Sequence, residues 1–235
     1  MKRRELRSGD EVLDPHTVLC VGRNYAEHAR ELGNQVPPAP VFFFKPPSSL
    51  LPGGGTVEIP SGVGRVDHEV ELGVVVGSTM RSASPSEAME HVLGYCVFVD
   101  ITARDIQSRA KKRGWPWAVA KGLDTFAPVS DVAPAEEVSL EEGLRLRLSV
   151  NGEVRQDGNT SDMLFGVPEL LSVASHLFTL ERGDIVATGT PSGVGPLVDG
   201  DRVVAEIEGV GRVDFVCEAV ENRVLERFCR KQFLL

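Results

Sequence analysis

Apolar residues along this chain fall into short runs separated by breaks rich in Gly, Pro and Ser, and only a few segments carry a helical period. Such a pattern predicts many strands and few helices. Residues 17–21, 41–44, 69–76, 93–99 and 184–188 read as strands, with β-branched and aromatic side chains concentrated in 69–76 and 93–99. Hairpins are expected at 144–150 with 153–156, where Asn151-Gly152 suits a type I′ turn, and at 202–207 with 212–219. Helices are expected over 25–32, with Asn24 as cap and Gly33 as stop, and over 84–91, with Ser84 as cap and a proline in the first turn. Two more are expected over 102–112 and 167–177, and the stretch 45–60 reads as loop, with a turn at Pro52-Gly53. Antiparallel pairs without regular βα alternation make the expected class α+β, a β-rich mixed roll or sandwich with a few short helices.

Four segments carry side chains able to do chemistry. In Asp67-His68-Glu69-Val70-Glu71-Leu72-Gly73, strand alternation puts Glu69 and Glu71 on one face. That face is either wet, as in many antiparallel sheets, or it holds a cation that offsets two neighbouring carboxylates. The apolar run 93–99 stops at Asp100, just before a helix that carries Arg104 and Gln107 three positions apart. Asp100 either caps that helix or supplies a third oxygen ligand, and three carboxylates from two strands suit a hard ion such as Mg²⁺ or Mn²⁺. His28 and Glu31 stand one helical turn apart in Gly22-Arg23-Asn24-Tyr25-Ala26-Glu27-His28-Ala29-Arg30-Glu31. A carboxylate there can fix the imidazole tautomer and leave the far nitrogen to accept a proton. The run Thr188-Gly189-Thr190-Pro191-Ser192-Gly193-Val194-Gly195 follows a strand, and its glycines allow backbone N–H groups to approach a carboxylate closely. It lacks the lysine of a phosphate-binding P-loop.

Composition narrows the class without choosing the reaction. The chain has 235 residues, 42% hydrophobic and 25% charged, as expected of an ordinary globular protein. A net charge of -9 argues against a nucleic-acid partner, whose phosphates demand excess Lys and Arg. The four cysteines are far apart and form no C-x-x-C pair, so neither a disulfide framework nor a zinc site is expected. No run reaches the ~20 apolar residues of a membrane span, and the basic start lacks a secretory apolar region, so the expectation is a cytoplasmic protein without a membrane partner.

Taken in order, GRNYAEHARE, FFFKP, HEVELGVVVG, DITARDIQ, WAVAKGLDTF, VNGEVRQ and GDIVATGTPSGVG resemble the fumarylacetoacetate hydrolase family, over about residues 18–220. The likeness is closest to its short acylpyruvase and oxaloacetate decarboxylase branch. It implies a mixed β-roll, a homodimer, and Mg²⁺ or Mn²⁺ held by Glu69, Glu71 and Asp100. It also implies a water-activating dyad of His28 and Glu31, with Lys121 stabilising an enolate or binding the substrate. Arg104, Gln107 and Thr190 would lie near the substrate carboxylate, and Lys45, which stands in a matching motif, would join them in binding the substrate. Residues 1–17 would be a short extension and 18–235 a single catalytic domain, which weighs against fumarylacetoacetate itself as substrate. The implied activity is hydrolysis of acylpyruvates or decarboxylation of oxaloacetate, both passing through an enolate of a small anionic 2-oxo acid. Family members with nearly the same site instead interconvert keto and enol forms or isomerise 2-hydroxy-dienoates. A metabolite-binding protein that only retains the fold is the alternative of another class.

Overall fold

The two runs richest in apolar residues, Val70–Val76 and Val92–Val99, pair antiparallel near the middle of an eight-stranded sheet. This is seen in a computed structural model of the chain, which describes residues 6–31, 33 and 35–234. Every residue of Val70–Val76 is buried, so the strand has no wet face. Outward from it, the sheet runs through Ile185–Ala187 and Val18–Gly22 to Val41–Lys45. Beyond Val92–Val99 it runs through Ala127–Val129 to Leu50–Pro52, and Ala133–Pro134 pairs with the same Val92–Val99 strand.

A five-stranded sheet holds both expected hairpins, Arg145–Val150 with Glu153–Asn159 and Arg202–Ile207 with Gly211–Val220. Asn151 and Gly152 both have positive φ, 53° and 83°, as a type I′ turn requires. Side-chain alternation sorts the apolar residues into two cores. Val70, Leu72, Val74 and Val76 share one cluster with Leu146, Leu148, Val203, Ala205 and Phe215 of the five-stranded sheet. Val75 instead joins Cys20, Cys96, Phe98, Val129 and Ile185, together with Leu6 and Leu13 from a short N-terminal hairpin. The fold is therefore α+β and sheet-dominated, as the patterning predicts.

Local signals held where the segment decides its own conformation. Ser84 caps Pro85–Glu90 through a reciprocal capping box with Glu87, and Val167–Leu177 has its expected bounds. Gly33 stops the first helix, Ala26–Glu31, at a φ of 66°; the predicted last residue, Leu32, lies outside the described residues. Non-local contacts overrode three expectations. Residues 45–60 keep the expected turn at Pro52-Gly53 but are not loop throughout: Leu50–Pro52 and Gly55–Pro60 are strands, pairing parallel with Ala127–Val129 and Gly211–Val220. Their Pro and Gly content hides strands whose partners lie far away in the chain. Asn24 is not spent on the helix start. Its amide donates to the carbonyls of Phe165 and Thr188 at 3.0 and 2.8 Å and accepts from the Phe165 N–H at 2.9 Å, which staples three distant segments together. Thr102–Ala103 form a short strand on Val66–His68, so the next helix starts at Arg104 and runs to Arg113.

Candidate metal-binding active site

The expected single strand 69–76 is broken at Glu69. Val66–His68 belongs to a three-stranded sheet, where His68 pairs with Gly195, while Val70 pairs with Val99 in the large sheet. Glu69 occupies the switch between them, and the Asp100 N–H donates to its carbonyl at 2.8 Å. That backbone bond sets the end of Val92–Val99 beside the carboxylate pair. Glu69, Glu71 and Asp100 each offer an oxygen within 4.8 Å of the others. The three residues are only 5%, 2% and 0% exposed, so the wet-face alternative fails.

Three buried carboxylates need compensation, and this chain supplies cations from three separate elements. Lys121 ends the short helix Ala118–Lys121 and donates to Glu69 Oε2 at 2.8 Å and Asp100 Oδ2 at 2.5 Å. Lys45, at the end of Val41–Lys45, donates to the other Asp100 oxygen at 2.6 Å and to the Ile101 carbonyl at 3.1 Å. Arg104 bonds Glu69 Oε1, Asp67 Oδ2 at 2.8 Å and Gln107 Oε1 at 2.7 Å. Burial alone would raise the Glu69 pKa, but Lys121, Arg104 and His28 override it and hold the group well below the usual carboxylate range. Burial alone would lower Lys121, yet Asp100 and Glu69 push it upward, so it stays an ammonium.

Glu71 is left over. Among the described residues its one hydrogen-bond donor is the Gly189 N–H, at 2.9 Å. Burial, then Asp100 and Glu69, push its pKa well above the normal range. A buried carboxylate short of positive charge, beside two others that offer oxygens, fits a hard divalent cation. The all-oxygen donor set excludes the soft-metal alternatives.

The loop 188–195 does what its glycines allow, but toward this protein's own carboxylates. Gly189, at φ 93°, serves Glu71, and a Cβ there would stand 2.8 Å from that of Asn24. The Gly193 N–H reaches both Glu31 oxygens at 3.2 Å. That contact holds Ala26–Glu31 over the carboxylate cluster, with His28 5% exposed and lining the pocket. His28 Nδ1 lies 3.5 Å from Glu31 Oε2, a charge contact too long for a hydrogen bond, and this buried nitrogen has no hydrogen-bond partner. Burial lowers the His28 pKa despite the nearby Glu69, which favours the neutral, proton-accepting ring. The Thr190 hydroxyl is already engaged: it donates to the Val70 carbonyl at 2.8 Å and accepts from Gln156 Nε2 at 2.8 Å.

The pocket bounded by these groups leaves about 30 Å³ for water-sized occupants, room for roughly two waters at ~10–15 Å³ each. Nine of the ten expected site residues meet at or beside it. His28, Glu69, Glu71, Asp100, Arg104, Gln107, Lys121 and Thr190 line the wall, and Glu31 stands behind His28. Lys45, 1% exposed, lies beneath Asp100 and does not line the pocket. Sequence reasoning did not single out Asp67, which anchors Arg104, or Gln156, which bridges His68, Val70 and Thr190. It also passed over Arg23, Phe43, Lys111 and Trp117 in the wall. Gln156, Phe43, Trp117 and Arg23 all fall inside motifs that the resemblance rests on, and a question put to each polar or aromatic position of those motifs would have found them.

Residues 17–216 match the family described as fumarylacetoacetate (FAA) hydrolase C-terminal. The mitochondrial oxaloacetate tautomerase of Arabidopsis thaliana is 51% identical over 207 residues, which is 88% of this chain and 92% of that protein. The mitochondrial oxaloacetate decarboxylase of Dictyostelium discoideum is 47% identical over 194 residues, 82% of this chain and 89% of that one. Among solved structures, the fumarylpyruvate hydrolase of Pseudomonas aeruginosa in complex with Mn²⁺ and pyruvate superposes with a TM-score of 0.86 at 35% identity, covering 92% of this chain and 95% of that one. Among the described residues, no helix is long and apolar enough to cross a membrane.

Proposed function

The chain belongs to the fumarylacetoacetate hydrolase family, and from that premise we propose that it is a Mg²⁺- or Mn²⁺-dependent enzyme of small 2-oxo acids. Its proposed reactions are hydrolysis of acylpyruvates and decarboxylation of oxaloacetate, carried by residues 18–235 as one catalytic domain within a homodimer. The observation that carries this reading is the buried cluster of Glu69, Glu71 and Asp100 in one pocket with His28, with Glu71 short of positive charge. Glu69, Glu71 and Asp100 would hold the metal, whose Lewis acidity withdraws electrons from the bond that breaks.

The remaining roles follow from where the side chains stand. Gln107 accepts from Arg104 through Oε1, which leaves its amide donors free, and both residues line the pocket where a substrate carboxylate would sit. Lys121, kept cationic by Asp100 and Glu69, stabilises negative charge as it develops on the substrate and does not act as a base. Lys45 positions Asp100 from below. Neutral His28 takes a proton from water in hydrolysis, and Glu31, held by the Gly193 N–H with an oxygen 3.5 Å from His28 Nδ1, stabilises the imidazolium that forms.

A second reading within the same site is keto–enol tautomerisation of oxaloacetate, for which His28 shuttles a proton and no water is consumed. It is favoured by the 51% identity to a protein named for that reaction. The test is a panel of oxaloacetate, acylpyruvates and fumarylpyruvate with Mg²⁺, with Mn²⁺ and after chelation, with products and isomers both followed. Metal-dependent loss of a carbon–carbon bond supports the first reading, and metal-dependent isomer interconversion alone supports the second. Metal-dependent binding without any product would leave a metabolite-binding protein. In the same assays, His28→Ala is expected to reduce acylpyruvate hydrolysis by ~10²–10⁴, the usual worth of a general base, while metal affinity changes little. An equal loss of metal binding would make His28 a ligand or a structural residue.

A further inference from the structure

Charge matching across the pocket leaves a remainder on its outer wall. The inner cations are all engaged by carboxylates: Lys45 and Lys121 by Asp100, Lys121 and Arg104 by Glu69, Arg104 also by Asp67. Two further cations line the same cavity, Arg23 and Lys111, and among the described residues neither has a carboxylate partner. Arg23 sits on left-handed backbone, φ 60°, in the link between Val18–Gly22 and the helix that carries His28. Non-glycine residues rarely adopt that conformation, and here it accompanies an arginine whose buried Nε has no hydrogen-bond partner. Lys111 reaches in from the helix Arg104–Arg113, and its ammonium lies 5.1 Å from the Trp117 ring centre. Trp117 packs on Phe43 at 5.5 Å, and Lys121 lies 5.0 Å from the Phe43 ring. One aromatic pair thus separates an inner ammonium, already neutralised, from an outer one that is not. Burial first, then Arg23, Arg104 and Lys121, bring Lys111 down to about 8; Glu69, already paired with Arg104 and Lys121, opposes this only in part.

A monoanionic 2-oxo acid, with its carboxylate at Arg104 and Gln107, would leave Arg23 and Lys111 in the pocket wall without an anion. A second carboxylate at the far end of the substrate would satisfy both. We propose that Arg23 and Lys111 form a second carboxylate subsite, which makes this pocket select 2-oxo dicarboxylic acids over monocarboxylic acids of equal length. The inference rests on the 2-oxo acid reading above and adds the two residues that would tell a diacid from a monoacid.

The test compares affinities of the Mn²⁺-loaded protein for two pairs of equal length. One is oxaloacetate against 2-oxobutanoate, followed by stopped flow before turnover, and the other is 2-oxoglutarate against 2-oxopentanoate, followed by calorimetry. In at least one pair the diacid is expected to bind tenfold or more tightly. Arg23→Gln and Lys111→Gln are each expected to reduce that diacid-to-monoacid ratio by about tenfold or more, the usual worth of a hydrogen bond between charged groups. Lys111→Arg, which keeps the charge, is expected to retain most of the preference, a result that simple loss of packing would not give. Equal binding of diacid and monoacid in both pairs, or a ratio that neither glutamine variant moves, overturns the subsite alone. Failure of all four acids to bind overturns the 2-oxo acid reading and the subsite with it.

Discussion

Glu71→Gln is expected to abolish the response of this protein to divalent metal while raising the thermal stability of the metal-free form. The amide keeps an acceptor for the Gly189 N–H but removes the one buried carboxylate of the cluster without a cationic partner. Burial, Asp100 and Glu69 raise the Glu71 pKa in the folded state far above its reference of 4.5. The folded protein therefore holds a proton that the unfolded chain releases. The stability this confers is complete below about pH 4.5 and is lost as pH climbs toward the raised folded value. Glutamine has nothing to release, so the melting temperature of the variant should increasingly exceed that of wild type as pH rises. Each kcal/mol corresponds to roughly 2–4 °C in a chain of this size. Metal competes with that same proton, so wild-type metal affinity should increase with pH and binding should release a proton. Turnover by the variant should fall by about 10³, equivalent to the several kcal/mol that Lewis-acid stabilisation contributes. Thermal melts across pH, with and without Mn²⁺, read all but the turnover. A variant that still gains stability from Mn²⁺ and still turns over would remove Glu71 from the metal set.

Lys121→Met should produce the opposite stability change. Lys121, 2% exposed, bridges Glu69 and Asp100, and its removal leaves two buried carboxylates with less positive charge. Breaking a buried ion pair from one side costs about 3–5 kcal/mol, so the metal-free variant should melt well below wild type. Added Mn²⁺ should then restore more stability to the variant than it adds to wild type, because the ion replaces the missing charge. Turnover should not return with it. If Lys121 stabilises negative charge on the substrate, the metal-saturated variant remains about 10²-fold or more slower, in line with the loss of one charge-stabilising donor. Full activity once metal has refolded the variant would reduce Lys121 to a structural counter-ion.

Much of the fold was legible because its signals are local. The Ser84 capping box, the Asn151-Gly152 turn and the Gly33 stop each act within a few residues, and each formed as read. The strands read at 69–76 and 93–99 declared themselves by composition, since strands buried on both faces are apolar almost throughout, and the buried Glu71 is the departure that marks the site. Residues 45–60 were misread for the converse reason. Their Pro and Gly are what a loop uses, and only pairing with residues 127–129 and 211–220 makes strands of them. Asn24 was misread in the same way: its side chain is competent to cap, but the Phe165 backbone and the Thr188 carbonyl, brought from far along the chain, take the bonds a cap would have used.

In the site, spacing placed Glu69 and Glu71 together, although a break at Glu69, and not simple alternation in one strand, directs its carboxylate inward. Residue type offered a carboxylate at Asp100 and an imidazole at His28, and the resemblance to the family implied their roles as ligand and base. The compensation of charge was not written there. Whether a lysine neutralises a carboxylate, contacts a substrate or stands unmatched depends on contacts between residues 21 to 55 positions apart. The sequence by itself therefore determined the strongly apolar strands, the Ser84 cap, the Asn151-Gly152 turn and the identities of the groups that can bind a cation or move a proton. Tertiary structure alone decided that Glu71 is the carboxylate short of a cation, that Lys45 supports from beneath, and that Arg23 and Lys111 face the pocket unpaired. The reason is that a side chain's hydrogen-bonding capacity is a local property, whereas its electrostatic environment is a sum over everything the fold brings within a few ångströms.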